Sequence, residues 1–181
     1  MVDDPDADLL MEVAAGGSRA MQALVTAKLP RIMALATRML GDQAEAEDIA
    51  QETFLRIWKQ AGSWQRDRAK FDTWIHRVAL NLCYDRLRKR REIPVSEPPE
   101  QIDTGPLPDG SAALAGSDGN IVAHALQAIS ARQREAIILV YYQEMSNREA
   151  AEVMHISVDA LESLLARGRR ALHTILKGHE E

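Results

Sequence analysis

The sequence lacks the residues on which several classes of protein depend. It has one cysteine, Cys83, which excludes an internal disulfide framework. Aromatic residues make up only 4% of the chain, and Ala, Leu, Glu and Arg are far commoner than alternating β-branched residues. No apolar run approaches the ~20 residues needed to cross a bilayer. Residues 1–8 are acidic, unlike the start of a secretory signal. We therefore expect a cytoplasmic, all-α protein that does not enter a membrane.

Patterns that indicate catalysis are missing as well. The sequence has no Gly-rich phosphate-binding loop, no Ser/His/Asp arrangement and no Cys/His cluster at metal-ligand spacing. Its five histidines are scattered. Cys83 follows Leu82 on a predicted helix, which favours core packing over a role as nucleophile or redox sensor. We therefore expect no enzymatic activity, no cofactor and no bound metal.

The negative charge of the chain is concentrated in its middle. The net charge is −5, yet residues 1–91 carry a net charge of +2 and residues 120–181 a net charge of −1. Residues 92–119 contain six acidic and no basic residues. The overall acidity predicts weak non-specific binding to DNA, but a clustered basic surface such as residues 86–91 can still contact DNA locally.

The middle segment, residues 92–119, is predicted to be a long, flexible acidic linker. It contains five of the seven prolines and four of the ten glycines. So long a stretch without secondary structure is uncommon inside one compact domain. We therefore predict two small helical domains, residues 1–91 and 120–181. The linker is either a plain spacer or an acidic segment that occupies a basic groove of the same protein.

Hydrophobic periodicity and helix caps predict four helices on each side of the linker. The pairs with capping-box spacing are Asp42–Glu45, Ser130–Gln133 and Ser146–Glu149. The predicted helices span residues 6–15, 18–40, 43–61, 71–90, 120–129, 131–143, 147–154 and 158–176. Residues 62–70 are predicted to form a polar loop in which Trp64 is exposed.

The third predicted helix combines an apolar stripe with a compact polar patch. Offsets of three and four residues place Asp48, Gln51 and Glu52 on one face. Two carboxylates and an amide so placed suit Arg and Lys side chains on a partner helix. A solvated surface would explain these charges equally well if they stood alone. The apolar residues expected beside the patch include Phe54, Leu55 and Trp58.

The fourth predicted helix begins with aromatic residues and ends with basic ones. Aromatic rings interleaved with a basic stripe suit single-stranded DNA, because unstacked bases lie on the rings while phosphates follow the positive charge. The alternative for Trp74 is a place in the hydrophobic core. The residues of this pattern are Trp64, Phe71, Trp74, Arg77, Asn81, Arg86, Arg88, Lys89, Arg90 and Arg91.

Residues 145–172 have the pattern of a helix-turn-helix. Small Ala150 and Ala151 allow two helices to approach closely, and Ser157 is placed to cap the second helix. The polar face of that helix suits the major groove of DNA, with its N-terminal residues at base edges and its arginines on phosphates. An ordinary helical hairpin with a solvated face is the alternative. The predicted apolar seam is Met154, Ile156, Val158, Leu161 and Leu165.

Several segments together resemble a known family. Residues 48–58 (Asp-Ile-Ala-Gln-Glu-Thr-Phe-Leu-Arg-Ile-Trp), 71–81 (Phe-Asp-Thr-Trp-Ile-His-Arg-Val-Ala-Leu-Asn) and 85–91 (Asp-Arg-Leu-Arg-Lys-Arg-Arg) closely resemble the second conserved region of bacterial sigma factors. The match is to the small extracytoplasmic-function type of the sigma-70 family. Residues 128–176 resemble the fourth region of that family. The segments stand in the family's order and cover nearly all of the chain outside the linker.

The resemblance implies an alternative sigma factor that binds core RNA polymerase and directs promoter-specific initiation. Core binding, on the clamp helices of the largest subunit, is implied for Asp48, Gln51, Glu52, Phe54, Leu55 and Trp58. Capture of the melted −10 element is implied for Trp64, Arg66, Lys70, Phe71, Trp74, Arg77, Asn81, Arg86, Arg88, Lys89 and Arg90. Recognition of the −35 element is implied for Arg148, Ser157, Asp159, Glu162, Ser163, Ala166, Arg167 and Arg170.

Four positions depart from the family's usual pattern. His155 stands where the turn usually carries Gly. Asp159 and Glu162 stand where Gly and Lys are common, and Gly168 replaces a usual Ala. These differences concern the preferred −35 sequence rather than the role of the helix.

Partners follow from the same resemblance. They are promoter DNA and core RNA polymerase, including its beta subunit, with the linker in the RNA exit path. The chain shows no sensory element, so we also expect a separate anti-sigma factor that contacts both domains and excludes the polymerase. A rival hypothesis is a dimeric helix-turn-helix regulator. It explains residues 145–172 but not the acidic patch, the aromatic-to-basic helix or the linker.

Overall fold

The structure is a computed structural model that describes residues 4–65, 68–92 and 117–178. Within these ranges the regular elements are all helical and no strand occurs, so the all-α prediction is confirmed. None of the helices in the described ranges combines the length and the apolar character of a membrane span. The helices are α1 (Ala7–Ala14), α2 (Ser18–Leu40), α3 (Gln43–Gln60), α4 (Phe71–Glu92), α5 (Ser117–Ala128), α6 (Ala131–Ile137), α7 (Asn147–Met154) and α8 (Val158–Lys177).

Side-chain caps start four of these helices where the sequence predicts them. Asp42 Oδ1 accepts a hydrogen bond of 2.8 Å from a first-turn N–H of α3. Ser146 and Glu149 form a reciprocal capping box at the start of α7. Ser130 and Ser157 accept backbone N–H groups at the starts of α6 and α8. Each cap satisfies a donor that the first helical turn leaves without an internal partner.

The helix predicted over residues 131–143 is not uniform. α6 stops at Ile137 and continues as a π-helical turn, Ile138–Tyr142. The turn is closed by a hydrogen bond of 2.9 Å from the Gln143 N–H to its first carbonyl. Such a turn widens the helix by one residue. Gln143 is thereby brought into the interior, where 4% of its surface is exposed. Glu144 follows with a φ of 55° and ends the helix.

The helices form two halves that pack on each other. In the first half α2 contacts α1, α3 and α4, and in the second α8 contacts α5, α6 and α7. Across the boundary α4 contacts α7, and α2 contacts α5, α6 and the π-helical turn. One group of buried apolar side chains runs through both halves, from Leu35 and Met39 in α2 to Leu126 in α5 and Ile138.

The predicted linker, residues 92–119, lies almost entirely outside the described residues. α4 ends at Glu92, two residues beyond its predicted end, and α5 begins at Ser117, three residues before its predicted start. Helix therefore extends into both ends of the segment assigned to the linker.

Candidate polymerase and nucleic-acid interfaces

The outer face of α3 carries the predicted polar patch. The Asp48 side chain is 65% exposed, Gln51 is exposed and Glu52 is half-exposed. Glu52 Oε1 accepts a hydrogen bond of 3.0 Å from Arg56 Nε, one helical turn later. The patch therefore presents two carboxylates and an amide. The Arg86 guanidinium lies 3.8 Å from Asp48 Oδ2.

The apolar residues predicted beside the patch divide into two groups. Leu55 and Trp58 are 46% and 44% exposed, unusually open positions for large apolar side chains. Phe54 is only 6% exposed and belongs to the core. Phe54 also lines the groove between α2 and α3 described below, and its predicted contact with the polymerase stays a prediction.

An apolar groove runs along this face between α2 and α3. It encloses about 620 Å³ and is closed on the α2 side by Met21, Val25, Leu29 and Met33. The α3 side consists of Ala50, Phe54, Leu55 and Trp58, with Glu47 and Gln51 at the rim. An apolar groove with acidic side chains at its edge suits an amphipathic helix that carries basic residues.

Sequence reasoning missed the α2 wall of this groove. A signal for it exists, because Met21, Val25, Leu29 and Met33 recur every four residues and so form one stripe along α2. From the sequence alone, that stripe is typical of an ordinary core-facing surface. Its role in a groove becomes visible only when α3 is placed beside α2. We call the groove and its polar rim the α2–α3 groove.

The basic end of α4 lies beside α3 and is partly neutralised there. Arg86 is 3.6 Å from Glu45 and 3.8 Å from Asp48. Arg90 also pairs with Glu45 and donates to the Leu40 carbonyl at 3.0 Å. Arg88, Lys89 and Arg91 are exposed to solvent, although Arg88 pairs with Asp85 on the same helix. The Asn81 amide is exposed earlier on the helix.

The aromatic residues of the predicted −10 surface are more buried than the sequence suggested. Phe71 is fully buried, so the expectation that it offers a stacking surface to a base is wrong in this structure. Its ring lies edge-on to Trp74, with centroids 6.0 Å apart, and the Lys28 ammonium lies 5.9 Å from it. Its backbone N–H donates to Asp4 Oδ2 at 2.6 Å, which ties the start of α4 to the N-terminal segment.

The two tryptophans are half-buried. Trp74 packs partly against the core, as the alternative interpretation had it, and keeps part of its ring at the surface. Trp64, predicted to be exposed, also packs against the core. Among the described residues, its buried indole Nε1 has no hydrogen-bond acceptor. Trp64 directly follows the 3₁₀ turn Ala61–Ser63, which contacts α1. Arg66 lies outside the described residues.

Two of the predicted −10 cations face the second half of the molecule. Lys70 Nζ lies 3.7 Å from Glu149 Oε1. The Arg77 guanidinium donates to the Glu152 carbonyl at 2.5 Å. Both acceptors belong to α7, so the start of α4 is covered by the first helix of the helix-turn-helix.

α7 and α8 form the predicted helix-turn-helix. His155 adopts the left-handed conformation at the turn, with φ 54° and ψ 42°. Leu161 and Leu165 are buried in the predicted seam, whereas Val158 is 38% exposed and does not belong to it. Gly168 is buried against α6, and a Cβ there would meet the end of the Ile137 side chain at 2.7 Å. The close packing of α8 on α6 accounts for this glycine.

The polar face of α8 is open to solvent. Asp159, Glu162, Ser163, Arg167 and Arg170 are exposed, as are Ser157 at the N-cap and Arg148 on α7, while Ala166 is half-buried. Several of these side chains are held by local hydrogen bonds. The Ser163 hydroxyl donates to the Asp159 carbonyl at 3.0 Å, and Arg167 Nε donates to the Ser163 carbonyl at 3.3 Å.

The interior contains polar groups that the sequence did not single out. His76 is fully buried, and burial lowers its pKa. Glu135 is also buried, which raises its pKa, and it accepts a hydrogen bond from the Tyr84 hydroxyl. Burial raises the pKa of Cys83 to about 12, in keeping with the predicted packing role. Among the described residues, no cluster of His, Cys, Asp and Glu is placed to hold a metal ion.

Comparisons with known proteins account for both halves of the chain. The family "Sigma-70 region 2" matches residues 24–93, and the family "Sigma-70, region 4" matches residues 119–172. The ECF RNA polymerase sigma factor SigW of Bacillus subtilis is 32% identical over 179 residues. That alignment covers 93% of this chain and 95% of SigW.

Two solved structures share the fold. CnrH, in complex with the cytosolic domain of CnrY, aligns with a TM-score of 0.72 at 27% identity and covers 97% of this chain and 99% of CnrH. RpoE of Bartonella quintana, in complex with the anti-sigma factor NepR, aligns with a TM-score of 0.70 at 28% identity. It covers 86% of this chain and 96% of RpoE.

Proposed function

Because this chain belongs to the ECF group of the sigma-70 family, we propose a role for each of its surfaces in promoter-specific initiation. An alternative sigma factor is a transcription initiation factor: it binds core RNA polymerase and directs it to particular promoters. This chain is such a factor. It acts in the cytoplasm, where core polymerase binds the chromosome. The observation that carries the assignment of surfaces is that an apolar groove between α2 and α3 and the polar face of α8 are both exposed.

The α2–α3 groove binds the clamp helices of the largest polymerase subunit. Leu55 and Trp58 offer apolar area whose burial contributes about 25 cal/mol per Å². Asp48 and Gln51 stand beside them and suit Arg or Lys on the clamp. Glu52 contributes by exchanging its Arg56 partner for one on the polymerase, and Phe54 holds the floor of the groove in shape.

The start and the outer side of α4 bind the melted −10 element. Asn81, Arg88 and Lys89 are exposed and form a path for phosphates and one base edge. Four more residues lie at the start of this path and would contact the DNA once α7 has moved away: Trp64, Lys70, Trp74 and Arg77. Arg86 and Arg90 contribute positive charge while paired with α3. Arg66 completes the set, and Phe71 acts as a positioning residue that holds Trp74.

The exposed face of α8 reads the −35 element in the major groove. Asp159, Glu162 and Ser163 occupy its first turns and meet base edges, where carboxylates accept hydrogen bonds from cytosine amino groups. Arg167 and Arg170, further along, contact phosphates. Arg148 on α7 adds a phosphate contact, Ser157 offers its backbone at the N-cap, and Ala166 permits close approach.

An anti-sigma factor that contacts both halves holds the protein inactive. RpoE of Bartonella quintana, which aligns along 86% of this chain, is seen in complex with an anti-sigma factor, NepR. Deleting the neighbouring genes one at a time in the native host should raise expression from a target promoter in one deletion strain. The proposal fails if no deletion raises that output and no inhibitor co-purifies with the protein in place of core polymerase.

Run-off transcription tests the proposed function directly. Core polymerase, the purified protein and a fragmented genomic library should yield transcripts from a defined set of start sites, each preceded by a shared −10 and −35 pattern. Core polymerase alone, and core polymerase with the Arg167→Ala variant, are the controls. A dimeric regulator would instead bind duplex operators symmetrically without polymerase and would create no new start sites, and that outcome would contradict the proposal.

A further inference from the structure

The first turn of α4 is capped by a side chain that lies far from it in the sequence. α3, α6, α7 and α8 each begin with a capping side chain directly before the helix. Lys70, which precedes α4, cannot act in this way, because its side chain carries only hydrogen-bond donors. Asp4 supplies the acceptor instead: its Oδ2 accepts the Phe71 N–H at 2.6 Å, and its Oδ1 accepts the Asp6 N–H at 3.0 Å. α4 therefore begins on a carboxylate from the residues ahead of α1, at a point where the helix dipole favours negative charge.

Lys28 forms a second link between the same two segments. Its ammonium lies 2.6 Å from Asp6 Oδ2 and 2.8 Å from Asp72 Oδ1, in the first turn of α4. The Lys28 side chain is 12% exposed. Burial disfavours its charge, but hydrogen bonds to Asp6 and Asp72 outweigh burial and raise the pKa of Lys28. The cation therefore stays charged and joins a residue before α1 to a residue of α4.

The α1 side also holds the other end of the loop between α3 and α4. The 3₁₀ turn Ala61–Ser63, which precedes Trp64, contacts α1. Leu10 of α1 is 1% exposed, so α1 is part of the core rather than a loose extension. We call residues 4–14 the α1 segment. This segment thus holds the loop between α3 and α4 at both of its ends.

Movement at the start of α4 passes directly to a residue of the proposed −10 surface. The Phe71 ring is fully buried and lies edge-on to Trp74, with centroids 6.0 Å apart. Trp74 keeps part of its ring at the surface. Asp4 and Lys28 do not belong to the residues that line the α2–α3 groove. Loss of the Asp4 contact should therefore displace Trp74 and leave the groove in place.

We propose that Asp4 is a positioning residue for the −10 element: it fixes the start of α4, and with it the geometry in which Trp64, Lys70 and Trp74 meet melted DNA. The Asp4 carboxylate acts through the Phe71 N–H and makes no contact with the DNA. This inference rests on the proposed −10 surface and adds to it a residue that lies outside that surface.

Three substitutions loosen the start of α4 to different extents. Asp4→Ala removes both hydrogen bonds of the carboxylate and leaves the buried Phe71 N–H without its acceptor. Asp4→Asn keeps one side-chain oxygen and should show only part of the effect. Lys28→Met keeps a side chain of similar length but removes the ammonium that links the two segments. The matched controls are the same replacements at exposed positions, Asp8→Ala and Lys177→Met.

Binding to two DNA probes, each measured with core polymerase present, isolates the contribution of the −10 element. Both probes carry the −35 duplex of a start site found in the run-off assay. The first probe continues through the −10 element with an unpaired non-template strand, and the second ends before that element. The ratio of the two affinities reports capture of the single strand. The affinity of each variant for core polymerase is measured separately.

Asp4→Ala and Lys28→Met should lower that ratio about tenfold, because a lost hydrogen bond to a charged group is worth a factor of this order. Asp4→Asn should fall between Asp4→Ala and the parent, and both controls should match the parent. The affinities for core polymerase and for the −35 probe should equal those of the parent in every variant.

An unchanged ratio in Asp4→Ala would overturn the inference. Losses of equal size in polymerase binding and in binding to both probes would also overturn it, because that pattern indicates general destabilisation. If Asp4→Ala does not fold, Asp4→Asn and Lys28→Met decide the matter, and an unchanged ratio in both overturns the inference.

A separate pair of variants tests the −10 surface itself. Asn81→Ala and Lys89→Ala remove exposed side chains that are proposed to contact the DNA. A normal ratio in both would contradict the proposed −10 surface. A lowered ratio in both, together with a normal ratio in Asp4→Ala, would overturn only the positioning role of Asp4. The proposed function fails by a different result, the absence of new start sites in the run-off assay.

Discussion

At the residue scale, His155 shows how one position of the helix-turn-helix tolerates an unfavourable backbone. A left-handed conformation costs most residues roughly 1 kcal/mol or more, and glycine little. His155 adopts it because α7 must end there and α8 must start three residues later, at Val158 after the Ser157 cap. The turn is therefore formed by the helices on either side of it rather than by the residue itself.

His155→Gly should stabilise the protein by up to about 1 kcal/mol, because the relief of strain exceeds the entropy that glycine adds to the unfolded chain. Urea unfolding measures the change. His124→Gly is the matched control, since His124 is exposed inside α5 and glycine should cost a few tenths of a kcal/mol there. Destabilisation by His155→Gly comparable to that of the control would contradict this account of the turn.

His76 is the second residue whose environment sets a measurable property. Its Nδ1 lies 2.6 Å from the Asp72 carbonyl and its Nε2 lies 3.2 Å from Gln143 Oε1. These two oxygens favour the protonated ring, but complete burial and the nearby Arg31 oppose it, and the net effect is a lowered pKa. The folded protein therefore holds His76 neutral at a pH at which the unfolded chain begins to bind a proton.

The free energy of unfolding should fall as the pH drops below the unfolded His pKa of 6.5. In that window the unfolded chain binds more protons than the folded one, so stability is present above it and is lost below it. Urea unfolding between about pH 7.5 and about pH 5.5 should show a shallower decline in His76→Gln than in the parent. The comparison isolates His76 from Glu135, whose raised pKa acts in the opposite direction. Equal declines would show that His76 is not the responsible group.

At the element scale, the parts that local chemistry determines could be predicted from the sequence. Caps such as Asp42 and the Ser146–Glu149 pair mark the starts of helices because they act within one turn. The π-helical turn and the inward position of Gln143 could not be predicted, because they depend on α2 and α4 being in place. The burial of Phe71 could not be predicted for the same reason. An aromatic residue at a helix start can stack on a base or pack in the core, and only its neighbours in the fold decide between the two.

The candidate sites also differ in whether local sequence or the packing of several helices determines them. The face of α8 follows from helical spacing alone, and the exposure of Asp159 and Arg170 agrees with it. The α2–α3 groove requires two helices to be placed side by side, so only its α3 wall was predicted. The contact between the two halves joins residues more than 100 positions apart, such as Arg31 and Gln143, and no local pattern marks it.

Substitutions in the first turns of α8 and substitutions further along the helix should affect DNA binding differently. Arg167→Ala and Arg170→Ala should weaken binding of the −35 element by a similar factor on every sequence, because phosphate contacts carry no sequence information. Substitutions at Asp159 or Ser163 should change the preferred bases, with each altered base contact worth about 1–3 kcal/mol. Selection of bound duplexes from a randomised −35 library, with polymerase present, measures both. Indifference of the preferred sequence to Asp159 and Ser163 would mean that another face of α8 reads the bases.

At the scale of the whole molecule, the distribution of charge and of apolar surface separates two kinds of contact. The chain as a whole has a net charge of −5, yet α4 ends in a cluster of cations and α8 carries exposed arginines. An acidic protein with small basic surfaces binds DNA weakly by itself, because few phosphates are neutralised. We therefore expect its affinity for promoters to depend on a second partner, and we propose that the α2–α3 groove binds that partner.

The central claim is that this groove and the polar patch of Asp48, Gln51 and Glu52 beside it bind core polymerase. The decisive measurement is the affinity of the purified protein for core polymerase in the parent and in Asp48→Arg. Asp48 is 65% exposed, so the change should alter folding stability by only ~0.5 kcal/mol. Asp8→Arg, at another exposed acidic position, is the matched control. We predict at least about tenfold weaker binding for Asp48→Arg, since reversing one charge-assisted contact costs ~1.4 kcal/mol or more, and no change for Asp8→Arg. Equal affinity of Asp48→Arg and the parent would contradict the account.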